Sequence, residues 1–133
     1  MRYRLTLAIA VLGTALVAAL PAGAATNTKV SIESNAQIWG PNNEAVEVGV
    51  HYQCAGGLGT IFVQVTQSPP ENAFPSLGTG TFPVTCDGQT HEAALSATSG
   101  PFAFDAGKAQ ATATLTAPSG TATDTRTINI VAA

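Results

Sequence analysis

The chain has 133 residues, with five Lys or Arg, eight Asp or Glu and a formal net charge of −3. That length suits one domain with a single modest core. The acidic balance and the scarcity of Lys and Arg argue against nucleic acid or anionic membrane as a partner, because both need a clustered basic surface.

Arg2 and Arg4 precede an apolar stretch from Leu5 to Leu20, which breaks at Pro21 and runs into Ala22-Gly23-Ala24-Ala25. A basic head, a short apolar helix and small side chains before a cut are the layout of a cleavable secretory signal. Residues 1–24 are expected to be removed, with the cut after Ala24 or Ala25. The apolar run of about 16 residues, interrupted by Gly13 and Thr14, falls short of the roughly 20 needed to cross a bilayer, and it has no cysteine to accept a lipid. The expected product is residues 25–133, secreted and extracellular, with no membrane span. Export removes two of the five cations and leaves Lys29, Lys108 and Arg126 against eight acids, a net charge of −5.

The rest of the chain alternates with period two and is rich in Thr, Val and Ile, which predicts strands. Val30 and Ile32 share a face over residues 29–34. Residues 44–54 set Val46, Val48, Val50, Tyr52 and Cys54 on one side and Glu47, Gly49, His51 and Gln53 on the other, so one face is buried and one is wet. Gly56-Gly57 and Gly59 allow a turn, and residues 60–67 follow with Ile61, Val63 and Val65 in register. Residues 68–80, with Pro69, Pro70 and Pro75, read as a long loop because each proline lacks a ladder donor.

Residues 81–86 bring Phe82, Val84 and Cys86 to one side, and Pro83 suggests an edge strand. Asp87-Gly88 is a two-residue hairpin signal. Residues 89–97 place His91, Ala93 and Leu95 together. Residues 100–107 form a corner with Phe102 and Phe104 available as plugs. Residues 108–117, a turn at Pro118-Ser119-Gly120 and residues 121–131 complete seven short strands. Seven such strands with no helical segment predict an all-β, antiparallel two-layer sandwich of immunoglobulin-like topology.

Cys54 and Cys86 both lie in the expected exported part, where an oxidising compartment favours a disulfide. The loop it closes, about 33 residues, corresponds to roughly 3–4 kcal/mol in the chain-entropy account. Neither a C-x-x-C spacing nor a nearby His pattern points to a metal or redox pair.

The corner from Phe104 to Ala111 resembles the Asp-Ala-Gly-x-Tyr-x-Cys start of strand F in immunoglobulin domains, with Ala109 and Ala111 at the tyrosine and cysteine positions. Tyr52-Gln53-Cys54-Ala55-Gly56-Gly57, the apolar strand after it and Cys86-Asp87-Gly88 are similar to small exported actinobacterial domains of uncharacterised function. That resemblance implies secretion and a β-sandwich, and it supplies no activity.

The candidate chemistry is sparse. His51 and His91 are the only histidines, and Glu92 or Glu47 could partner one of them, but they lack metal-ligand spacing and are read as structural or solvated. No serine stands in a nucleophile-elbow motif. Glu44, Glu47, Glu92 and Asp105 read as solvated charge rather than paired catalytic acids. No catalytic residue, cofactor or metal is expected, and the chain is read as a non-enzyme.

Trp39 reads as a core or rim anchor. The long loop is the candidate interaction segment, through Pro69, Pro70, Phe74, Pro75 and Leu77, since long stiff loops often bind. The expected function is a secreted binding module for an extracellular protein or cell-envelope component. Two alternatives remain: a small-molecule carrier similar to the immunoglobulin-like apoproteins of the neocarzinostatin type, or a secreted protease inhibitor.

Overall fold

The structure, a computed structural model, describes residues 27–69, 72–100 and 102–132. The expected signal segment 1–24 and Pro70 lie outside the described residues. Seven strands follow one another: β1 Lys29–Trp39, β2 Ala45–Gln53, β3 Gly57–Gln67, β4 Ser76–Cys86, β5 Thr90–Ser99, β6 Gly107–Ala117 and β7 Gly120–Val131. The period-two pattern is realised in them. Val46, Val48 and Val50 of β2, Ile61, Val63 and Val65 of β3, Ala111, Ala113 and Leu115 of β6, and Ile128 and Ile130 of β7 all point into one shared core.

The strands run around a ring in the order β1-β2-β5-β4-β3-β6-β7, and β7 returns to β1 to close it. The expected immunoglobulin-like sandwich is thus corrected to a closed barrel. A sandwich leaves strand edges open, whereas both would-be edges here are paired. β1 meets β7 in parallel from Asn35–Asn129 to Gln37–Val131, and β4 meets β5 through Gly78–Ser99 and Thr79–Thr98. One buried and one wet face produce the same alternation in either architecture, so only these short joints distinguish them.

β1 continues to Trp39 instead of ending near Ser34, because a bulge between Ile32 and Ala36 bends it along the barrel wall. The Ile32 N–H donates to Asp124 Oδ2 of β7 at 2.8 Å. The loop expected over 68–80 is shorter, since residues 76–80 already belong to β4. The donor-less prolines end at Pro75, so they do not bar a ladder from Ser76 onward, and the glycines of this stretch serve close packing. A β-carbon on Gly78 would fall 2.8 Å from Phe104 Cζ, and one on Gly80 would strike the Ser96 carbonyl. Pro83 lies where β4 is laddered to β3 alone, the one-sided position its missing donor requires.

Asp87-Gly88 does turn the chain, with Gly88 at φ 84°, but it is not a tight laddered hairpin. The β4–β5 pairing is confined to the far end of the two strands. The Cys54–Cys86 disulfide, with a Cα–Cα distance of 4.6 Å, joins the end of β2 to the end of β4 here, where β4 and β5 are not hydrogen-bonded. Gly88 N–H also donates to the Cys54 carbonyl at 2.7 Å. Phe104 is the interior plug at the opposite end; Phe102 and Trp39, the other aromatic candidates for core roles, are exposed.

Candidate functional site

At the end of the barrel opposite the disulfide, the alternation of β3 places Gln67 at an inward position, one step beyond Val65. A carboxamide buried there must satisfy its polar atoms or be strongly unfavourable. Gln67 is 1% exposed, and its Nε2 donates to the carbonyls of Asp105 at 2.8 Å and Lys108 at 3.2 Å. Its Oε1 accepts from the Asp105 N–H at 2.8 Å and from Asn72 Nδ2 at 3.2 Å. Buried Asn72 shares its Nδ2 further with Ser76 Oγ and the Ala103 carbonyl, and Ser76 Oγ donates to that same carbonyl at 2.7 Å.

Gln67, Asn72 and Ser76 therefore clamp the loop after β3 to the corner after β5. Around them, Phe104 N–H donates to the Asn43 carbonyl at 3.0 Å and Ser99 N–H to the Glu44 carbonyl at 2.7 Å, which ties in the β1–β2 turn. Asn43 takes a left-handed φ of 56° to make that turn.

This clamp sets out an aromatic pair. Phe74 and Phe102 stack with centroids 5.0 Å apart and planes 13° from parallel, yet they stay 58% and 42% exposed. Trp39 at the end of β1, Leu77 at the start of β4 and Val131 at the end of β7 are exposed at the same end. Five of the seven large apolar side chains exposed among the described residues thus belong to this end of the barrel, Val131 on its outer wall beside Asn35 and Gln37. A depression of about 310 Å³ beside Phe102 is lined by Asn42, Glu44, Ser99, Gly100 and Ala103.

Of the expected interaction residues, Phe74 and Leu77 are exposed at this rim, although Leu77 belongs to β4 rather than to the loop. Pro69 and Pro75 flank the clamped turn. The sequence did not reveal that Phe102 completes the platform. Gln67 was legible in principle, as a polar residue at an inward position of an otherwise apolar series.

A groove of about 480 Å³ lies at the other end, with Val30, Ser31, His51, Tyr52 and Thr90 among its lining residues, and it is open to solvent. His91 stacks on Tyr52 with centroids 5.5 Å apart and bonds Asp87 Oδ1 at 2.8 Å. The Gln89 N–H, and after it the His91 ring, hold the Asp87 carboxyl below the usual carboxylate range. Burial, and then the Asp87 charge, push the Tyr52 phenol up.

His51 on the outer wall lies between carboxylates of both neighbouring strands. Its Nε2 is 3.1 Å from Glu33 of β1, and its Nδ1 is 3.7 Å from Glu92 of β5. Glu92 was the partner weighed from sequence; Glu33 was not, and Glu47 is not among His51's bonded partners. With a carboxylate at each nitrogen, His51 directs neither toward a serine hydroxyl, unlike the histidine of a nucleophile–base pair.

Residues 26–125, from just before β1 to within β7, match the sequence pattern of DUF6299. The chain belongs to this family of unknown function. DUF6299 membership covers the barrel through most of its wall, including the disulfide, the Gln67 clamp and the Phe74–Phe102 pair. No curated protein matches the DUF6299 chain.

Proposed function

We propose that this protein is a secreted, non-catalytic binding module that engages an extracellular protein or cell-envelope component through the rim bearing Phe74 and Phe102. The observation that carries this reading is the stacked pair, held half-exposed by a buried and fully bonded carboxamide. Aromatic side chains offer large contact area, and a loop fixed in advance loses little entropy on binding. The layout from Arg2 to Ala25 supports export, and the disulfide suits an oxidising compartment.

The carrier reading asks for a deep apolar cleft, and the barrel interior is instead filled by Ile61, Val63, Val65, Leu115 and Phe104, all fully buried. That favours the surface over the interior. The inhibitor reading uses the same loop and is tested in the same experiment.

Residues 25–133 are immobilised and exposed to extracellular protein and cell-wall fractions, alongside the Phe74→Ala/Phe102→Ala variant. Retention of a component by the wild type and its loss from the variant is the expected result. Identical retention by both would dismiss the rim as the binding surface. A protease panel run with the same two proteins reports on inhibition, and protection against no protease at micromolar concentration disposes of the inhibitor reading.

A further inference from the structure

The outer surface of the barrel is unevenly charged. Outward positions on β3, β4 and β6 carry Thr beside Leu, Phe, Pro and Gln with a single charged residue, Lys108, and Thr112 is bonded across to Thr125 of β7 at 3.2 Å. By contrast, β1, β2 and β5 present Glu33, Glu47, His51 and Glu92. Strand register explains the meeting of three of these. His51 pairs with Ser31 on one side and with Glu92 on the other, and Glu33 is two residues along from Ser31.

We propose that Glu33, His51 and Glu92 form a binding site for a divalent transition-metal ion, with Zn²⁺ as the best-matched common ion. One donor atom from each of the three lies within 4.8 Å of the others. Zn²⁺ takes imidazole nitrogen and carboxylate oxygen at about 2.0–2.2 Å, which places donors about 3.4 Å apart in a tetrahedral shell. Exposed and half-exposed side chains close the remaining distance, up to about 1.4 Å, by rotation within their rotamer wells.

A second observation comes from Gly49. A glycine in the middle of a strand weakens it and marks a close approach. The Glu33 carboxylate lies over Gly49 so closely that a β-carbon there would fall 2.6 Å from Glu33 Oε1. The missing side chain leaves room for that carboxylate beside His51. Gly49 and Ala94, paired across β2 and β5, also floor a depression of about 310 Å³ that reaches Glu33 and Glu92.

Charge points the same way. Among the described residues, the ion pairs of Glu33 and Glu92 are with His51 alone. With His51 neutral, the cluster therefore presents two negative charges, the match for a dication. The mixed N and O donors favour Zn²⁺ over Mg²⁺ or Ca²⁺, which are held by oxygen shells of six or more ligands. Three protein donors leave a fourth position open, where water or a ligand completes the shell.

The test is titration of residues 25–133 with Zn²⁺ and, separately, Mg²⁺, followed by calorimetry and by amide NMR shifts. Saturable one-to-one Zn²⁺ binding is expected, with shifts centred on Gly49, His51 and Glu92 and no comparable Mg²⁺ binding. His51→Ala, Glu33→Gln and Glu92→Gln should each weaken it by at least about tenfold. Gly49→Ala keeps all three donors but displaces Glu33, so it should weaken binding too, while His91→Ala should leave it unchanged. Amide spectra of each variant verify the fold. The proposal is overturned by no saturation up to about 1 mM Zn²⁺, by binding that survives His51→Ala, or by binding lost in His91→Ala.

Discussion

The ring of Phe104 lies against Gly78 with its Cζ 2.8 Å from the place a β-carbon would occupy. One residue plugs the barrel end and the other leaves space for the plug. Gly78→Ala should therefore destabilise the fold by overpacking, by about 1–3 kcal/mol, and Phe104→Ala by about 3–5 kcal/mol through the cavity it leaves. Combined with Phe104→Leu, Gly78→Ala should cost less than the sum of the two single changes, because the smaller side chain relieves the clash. Urea unfolding of the wild type, Gly78→Ala, Phe104→Leu and the double variant measures this, and strict additivity would show that the contact is not the reason for the glycine.

Gln67→Ala removes the acceptor of the Asp105 N–H and one partner of buried Asn72. Unpaired buried polar groups of this kind cost about 1–3 kcal/mol. Beyond the loss in midpoint, amide exchange should quicken at Asp105 and Phe74 more than at Val48 or Val63, since the clamp holds the two loops and not the wall. Uniform acceleration across all four amides would mean that the network supports the whole barrel.

Reduction of Cys54–Cys86, or replacement of both cysteines by Ala, should lower stability by about 3–4 kcal/mol. The bond spans the end of the barrel where β4 and β5 are not laddered. Local opening should therefore begin there, read as new protease cleavage near Asp87–Gln89. Cleavage that starts instead at the Phe74 rim would contradict this.

The pH response follows from Asp87. Its carboxyl is held below the usual range by the Gln89 N–H and then by the His91 ring. A depressed acid supports the folded state above its unfolded pKa and withdraws that support as the pH falls through its folded value. The 86–90 turn should accordingly loosen only under acid conditions, below about pH 4. Carboxyl NMR should place the Asp87 midpoint below the ordinary Asp value of about 3.9, and His91→Ala should raise it. An unchanged midpoint in that variant would assign the shift to the backbone alone. The Tyr52 phenol has the opposite sign: it is raised by burial, so its contribution is intact below about pH 10 and lost above it.

Alternation made the inward residues of β2, β3 and β6 readable from sequence, because it depends only on which side of a pleat faces water. The Cys54–Cys86 bond was readable from the count of two cysteines and the expectation of export. The ring was not. The parallel contact of Asn35–Gln37 with Asn129–Val131, and the two residue pairs joining β4 to β5, involve residues that look like any other strand positions. Ser76–Gly80 was misread because the effect of Pro69, Pro70 and Pro75 was carried past Pro75, and the contacts that place Gly78 and Gly80 in a strand, with Phe104 and the Ser96 backbone, are distant in sequence. The platform was half legible. Phe74 stood out within a proline-rich stretch, whereas Phe102 looked like a plug equivalent to Phe104. Glu33 could be joined to His51 only after the β1–β2 register and the bulge at Ile32 were known.

The closing joint of the ring sets a condition on how the chain folds. β1 obtains its second neighbour from residues 129–131, nearly the whole described chain away. Until β7 arrives, β1 presents an unpaired edge of apolar and polar residues to any other chain nearby. Contacts this distant in sequence are slow to form, so the interval of exposure is governed by the last strand rather than the first. Resistance to edge-to-edge association is a property of the finished barrel and is acquired late. Conditions that delay β7 should favour association during folding without altering the stability of the folded domain.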